Sequence, residues 1–214
     1  MKVDSRTVGV FEENCYLVGD DASGRAILID PGDDGDQILE MIRESGMTLD
    51  AIWLTHAHLD HIGAINTVRG EYEVPVRLHR LDLPYYEQLS ARAAQMYGLP
   101  WDQPDIAPEF IEERDVLRVG ALEFSVMHVP GHAPGHVAFV GEGVALSGDL
   151  LFSGSIGRTD LPLCDPYAMD VSLDRFATLP AETIVHPGHG PLTTIRQELA
   201  SNPFLSGKAR VLKR

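Results

Sequence analysis

The segment Thr55-His56-Ala57-His58-Leu59-Asp60-His61 sets four side chains able to bind a metal within six positions, directly behind the apolar run Ala51-Ile52-Trp53-Leu54. A buried strand that stops at such a cluster places the polar groups at its end, where other chain segments must complete the site. In an extended stretch His56 and His58 point to the same side and can reach one ion, while Asp60 and His61, where the chain turns into a helix, can face a second. A lone histidine near a helix start is usually a cap or a solvated side chain, but four groups together favour metal. A structural zinc site would normally draw on cysteines. The chain has two, Cys15 and Cys164, which we read as reduced thiols of the core or near-surface. The isolated His79 reads as a surface residue.

Three further clusters also close apolar strands. In Val129-Pro130-Gly131-His132-Ala133-Pro134-Gly135-His136, one imidazole completes a three-nitrogen site and the other supports it by hydrogen bonding. We assign His132 as the ligand and His136 as the support. Asp149, in Ser147-Gly148-Asp149, can bridge two ions through its two oxygens, although alone it reads as an ordinary turn aspartate. In Val185-His186-Pro187-Gly188-His189-Gly190 either histidine can serve, and His189, further out on the glycine-flanked loop, is preferred.

The rest of the chain alternates short apolar runs with helical patterns, without a linker or charge block, so one domain over 1–214 is expected. Strands are predicted at 14–18, 25–30, 50–54, 122–129, 137–140, 144–147 and 183–186. Helices are predicted after Asp33, Asp34 and Asp36 with a stop at Gly46, from Leu81 to about Tyr97, from Tyr167 to Thr178, and from near Leu192. Pro100, Pro104 and Pro108 force an irregular stretch carrying Trp101 and Phe110, so 81–113 reads as a lid. The N-terminus lacks the apolar core of a signal peptide and no run reaches membrane-spanning length, which makes the cytoplasm the expected location. With 17 Lys+Arg against 32 Asp+Glu, the net charge of -15 disfavours a nucleic acid partner. Two bound cations would still leave the pocket able to take a small anion.

Together, Thr55 to His61, His132, Asp149 and His189 resemble the metallo-β-lactamase superfamily in order and spacing. Within it, Pro130 to His136, Gly148 to Asp160 and Pro187 to Pro191 are similar to short glyoxalase-II-like (hydroxyacylglutathione hydrolase-like) hydrolases, and the likeness covers nearly the whole chain. It implies an α/β (α+β) fold, an αββα sandwich of two mixed sheets flanked by helices with the site at one edge. It also implies two divalent ions, zinc first and iron or manganese as alternatives. His56, His58 and His132 would hold one, Asp60, His61 and His189 the other, and Asp149 would bridge them. Asp60 would orient a bridging hydroxide, and His136, Arg158 and Asp160 would support the centre.

The activity implied is hydrolysis of a thioester, S-lactoylglutathione or a related S-acyl thiol. The expelled thiol has a pKa near ~8.5 and departs without a strong general acid, unlike the basic nitrogen of a β-lactam. Long glyoxalase II enzymes carry an additional helical C-terminal domain that binds glutathione. This sequence is expected to lack it, and the basic tail Lys208, Arg210, Lys213 and Arg214 reads as solvated. The main alternative is an iron-dependent persulfide dioxygenase of the same superfamily, where the position of His136 is commonly cysteine. Lactone, β-lactam and RNA hydrolysis follow, and a non-catalytic metal-binding protein comes last.

Overall fold

The computed structural model describes residues 1–209 and residue 211. One mixed sheet holds β1 (Lys2–Val8), β2 (Glu13–Asp20), β3 (Arg25–Ile29), β4 (Thr48–Trp53), β5 (Val76–His79) and β6 (Glu109–Ile111) in that order. The first two pairings are antiparallel, and β3 to β6 run parallel. The second sheet contains β7 (Val116–Val119), β8 (Leu122–His128), β9 (Val137–Gly141), β10 (Val144–Gly148), β13 (Ile184–Pro187) and β14 (Thr193–Thr194), ordered β14-β13-β10-β9-β8-β7. Between its last strands lie the small hairpin of β11 (Leu151–Phe152) and β12 (Ser155–Ile156) and the helix α5 (Pro166–Phe176).

The alternation of side chains along the strands builds the layers. On β2 and β3, Cys15, Leu17, Ala26 and Leu28 face the helices α1 (Gly35–Ser45) and α3 (Ile65–Arg69), while Tyr16, Val18, Ile27 and Ile29 face the other sheet. On β9 and β10, Val137, Phe139, Val144 and Leu146 point into the same inter-sheet core, and Ala138 and Ala145 point outward against α5 and α6 (Ile195–Ser201). Both faces of each central strand are thus buried, which is why these strands read as continuous apolar runs. The result is the expected helix–sheet–sheet–helix sandwich. Among the described residues no helix is long and apolar enough to cross a membrane.

Several local expectations are corrected. β1 was not anticipated; its alternation of exposed and half-buried side chains marks an edge strand, paired with β2 and lacking a fully apolar face. The expected helix over 81–97 is three pieces: a 3-10 turn at Arg80–Asp82, a π-helix at Tyr85–Leu89 and α4 at Ser90–Tyr97. The helix near Leu192 starts only at Ile195, after the short strand β14. Asp34 precedes α1 in a left-handed conformation without capping it; its Oδ2 instead accepts from the Gly9 N–H at 3.0 Å. His79 is buried, not a surface residue, because its ring stacks on His128 with centroids 4.3 Å apart. Cys15 is buried and Cys164 half-buried, both as free thiols. Of the basic tail, Arg210, Lys213 and Arg214 lie outside the described residues.

Trp53 is the largest fully buried side chain and meets Phe124 and Phe139 across the two sheets at 5.9 and 5.2 Å. Trp53→Ala should cost about 3–5 kcal/mol of stability in urea denaturation. A cost below about 1 kcal/mol would show that the sandwich core does not depend on this contact.

Candidate metal centre

The loops that leave β4, β8, β10 and β13 carry every residue of the sequence-derived cluster, and the sandwich brings them to one end. Beyond β4 the chain bends at Thr55, is extended at His58 (φ -67°, ψ 156°) and then coils into α2 (Leu59–Ile62), which holds Asp60 and His61. Three groups of ligand atoms lie within 4.8 Å of one another: His56, His58 and His132; Asp60, His61 and His189; and Asp30, His56 and His61. Asp149 stands between the first two. Its Oδ1 is 3.5 Å from His61 Nε2, and its Oδ2 is 3.4 Å from His132 Nε2 and 3.5 Å from His189 Nε2. His189 Nε2 is also 3.4 Å from Asp60 Oδ2.

Hydrogen bonds on the far side of the His56, His61 and His132 rings decide which nitrogen faces the convergence point, where His58 Nδ1 and His132 Nε2 lie 2.8 Å apart. His61 Nδ1 donates to Asp30 Oδ2 at 3.0 Å, and His132 Nδ1 donates to the Arg158 carbonyl at 2.8 Å. His56 Nδ1 meets Thr55 Oγ1 at 3.0 Å, and that hydroxyl donates in turn to Asp30 Oδ2 at 2.5 Å. The opposite atoms, His56 Nε2 and His61 Nε2, are buried without a hydrogen-bond partner, as is Asp149 Oδ1. Buried polar atoms left open at such a convergence are costly unless something else occupies them. Their chemistry, imidazole nitrogen and carboxylate oxygen, fits borderline divalent cations. The third group differs, because Asp30 is already committed to Thr55 and His61; it orients the His61 ring and, through Thr55, the His56 ring.

Charge within the bare cluster follows the same division. Burial, reinforced by the neighbouring imidazoles, holds His56 and His58 well below the usual histidine range, so both are neutral with lone pairs available. Burial also lowers His132. Burial opposes charge on His61, but Asp149, Asp60 and Asp30 outweigh it and raise the group to about 9. Burial would raise Asp60, yet His61 and His189 hold it well below the usual carboxylate range.

The remaining candidates take distinct places. His136 lies behind the cluster and donates through Nε2 to the Ser147 carbonyl at 3.0 Å, on the strand that delivers Asp149. His186 faces Tyr16 at 5.2 Å, away from the three ligand groups. Arg158 and Asp160 form a two-bond ion pair at 2.6 and 2.9 Å, which braces the loop whose carbonyl holds His132.

Sequence reasoning missed the residues that fasten these loops. Asp30, at φ 49°, accepts from Thr55 N at 2.7 Å besides its bonds to Thr55 Oγ1 and His61. Its signal, an aspartate ending an apolar strand, was the one that singled out Asp149. Asp82 is fully buried and accepts from Ala57 N at 2.9 Å and Gly135 N at 2.5 Å, joining the His56–His58 loop to the His132–His136 loop. Asn14 grips the His189 loop through the Pro187 and Gly190 carbonyls at 3.2 and 2.8 Å, and Tyr16 adds a bond to Pro187 O at 2.7 Å. Nothing in the sequence around Asp82 or Asn14 marks either role. Gly188 is required by close approach, since an added Cβ would overlap Asp149 Oδ1 and sit 2.9 Å from His61 Cε1.

This fold and this centre agree with the comparisons. Residues 8–189 match the family model described as the metallo-beta-lactamase superfamily, and the chain belongs to that superfamily. It is 38% identical to the hydroxyacylglutathione hydrolase GloC of Haemophilus influenzae over 98% of this chain and 100% of that one. Among solved structures it resembles TTHA1623 in a di-iron-bound form, with a TM-score of 0.87 and 46% identity over 94% of this chain and 100% of that one. It also resembles ETHE1 from Myxococcus xanthus, with a TM-score of 0.81 and 30% identity over 98% of this chain and 87% of that one. The protein is therefore an enzyme of the metallo-hydrolase class with a candidate His/Asp metal site.

Burial pushes the Asp82 carboxyl up to about 7 against the pull of its two N–H bonds. Such an acid binds more protons folded than unfolded between roughly pH 4 and 7, so the stability it contributes is full below that window and lost as pH rises through it. The stability of the native protein relative to Asp82→Asn should fall across this window, by at most about 4 kcal/mol. Denaturation at a series of pH values measures it, and a difference that stays flat or rises would show an Asp82 that is ionised throughout.

Proposed function

We propose that this protein is a cytoplasmic thioester hydrolase that holds two divalent ions and cleaves an S-acyl thiol of the S-lactoylglutathione type. In this reading His56, His58 and His132 hold one ion, Asp60, His61 and His189 the other, and Asp149 lies between them. The observation that carries it is the set of buried, unpartnered ligand atoms on His56, His61 and Asp149 at one convergence point. The full-length similarity to a hydroxyacylglutathione hydrolase supports the substrate class. Zinc, iron and manganese all suit this donor set, and the di-iron form of one similar structure supports iron as much as zinc.

When bound, the ions supply a Lewis acid for the thioester carbonyl and lower the pKa of an attacking water to near 7. The chain's own residues perform the rest. Asp60, kept ionised, accepts from the nucleophilic water and fixes its direction. Asp30, through Thr55 and directly, holds His56 and His61 in the tautomer that leaves Nε2 free. The largely apolar walls of the cavity, including Phe11, Leu89 and Phe152, take up the acyl chain and exclude bulk water. The Tyr85 phenol, beside His58, is committed to the Pro162 carbonyl and its pKa is pushed well up by burial, so it is a poor proton donor to a leaving group. A thiolate leaving group needs none.

Metal-loaded protein should release free thiol from S-lactoylglutathione. Asp60→Ala and His61→Ala should each lower kcat/KM by roughly a thousandfold or more, with the far-UV circular dichroism unchanged. Near-native rates in either variant would remove the second ion from the mechanism. Oxygen uptake with glutathione persulfide in excess of thioester turnover would replace this reading with a persulfide dioxygenase.

Because His61 carries its proton up to about pH 9 in the bare protein, a cation must displace it. Apparent affinity for the second ion should rise about tenfold per pH unit between pH 6 and 8, read by chelator competition. A pH-independent affinity would take His61 out of the ligand set.

A further inference from the structure

The cavity in front of the metal cluster measures about 570 Å3 and has His58, Asp60, His132, Asp149 and His189 at its floor. This lies within the range of small-molecule sites, roughly 300–1,000 Å3. One wall is α4. Its first turn is fixed to the metal loop by Ser90 Oγ, which donates to the Ala57 carbonyl at 2.6 Å. Its far end meets the opposite rim where Tyr97 packs edge-on against Phe11 at 5.5 Å.

Outside the metal cluster, the charged side chains on the cavity wall are Arg92 and Arg158. Two arginines stand here in a chain where acidic residues outnumber basic ones by 32 to 17. Arg158 is already met by Asp160 through two bonds. Nine arginines of the chain, Arg158 among them, each have a carboxylate within ion-pair distance; among the described residues Arg80, Arg92 and Arg114 have none, and of these three only Arg92 lines the cavity. An unpaired guanidinium beside apolar walls, two residues from the anchored start of its helix, is a ready partner for a carboxylate, which it can take in a two-bond fork.

We propose that Arg92 is a specificity-determining residue that receives a carboxylate of the substrate, so that the enzyme selects carboxylate-bearing thioesters. This rests on the thioester reading above for the reaction, but not for the binding. The carboxylate that accepts from the guanidinium belongs to either the thiol carrier or the acyl group. A polyphosphate carrier would bring several negative charges to a cavity with one unmet cation, in a chain of net charge -15.

The test is calorimetric titration of metal-loaded protein with non-hydrolysable ligands in pairs. S-butylglutathione against its diethyl ester places the carboxylates on the carrier side. A carboxypropyl thioether of N-acetylcysteamine against its methyl ester places one on the acyl side. The native protein should favour the acid in one pair, and Arg92→Gln should cut that preference about tenfold, with Arg92→Lys restoring part of it and Arg92→Glu reversing it. Loss of acid and ester affinity alike, unchanged preference in both pairs, or no preference in the native protein overturns the proposal. Thioester turnover in the native protein, measured alongside, reports separately on the function, so the two can fail independently.

Discussion

The centre depends on buried carboxylates that point imidazoles inward. Neutral histidines packed at the dry end of a β-sandwich would turn toward any available acceptor, and their ring nitrogens are interchangeable until something engages one of them. Asp30 does this for His61 directly and for His56 through Thr55 Oγ1. Asp82 ties together the two loops that carry the histidine pairs. Without these anchors, the apolar layers would still form, but the ligand atoms would have no reason to converge.

The sandwich supplies the ends at which this convergence happens. The parallel pairings β3–β4 and β10–β13, one in each sheet, deliver loops from their carboxyl ends. The bulge between Leu146 and Gly148 shifts the β10 register just before Asp149, at a glycine held at φ 48°. The π-helix at Tyr85–Leu89 sits beside the metal loop, with the Tyr85 ring edge-on to His58 at 4.5 Å. Its wider turn accompanies the change from the Asp82 anchor to the helix that lines the cavity, in keeping with the frequent placement of such turns at functional sites.

Much of this was legible because strong local patterns carried it. Central strands buried on both faces read as apolar runs, and His56 to His61 announced themselves by density. The segment 81–97 reads as one helix because its composition favours helix throughout, whereas the structure divides it where Asp82 and Ser90 bond to other loops. β1 escaped notice because an edge strand with half-exposed faces has no apolar signature. His79 misled in the opposite way: a single histidine gives no hint of the His128 ring that covers it.

The sequence by itself determined the layered architecture, through hydrophobic periodicity, and the identity of the residues rich in metal-binding chemistry, through their clustering behind strands. Tertiary structure decided which of the paired histidines face the convergence point, setting His132 and His189 there and His136 and His186 outside the ligand groups. It also decided the anchoring roles of Asp30, Asp82 and Asn14 and the open guanidinium of Arg92. The reason is that periodicity and clustering are properties of neighbours along the chain. A hydrogen bond between Asp82 and Gly135, or between Asn14 and Gly190, spans dozens of residues and leaves no local trace.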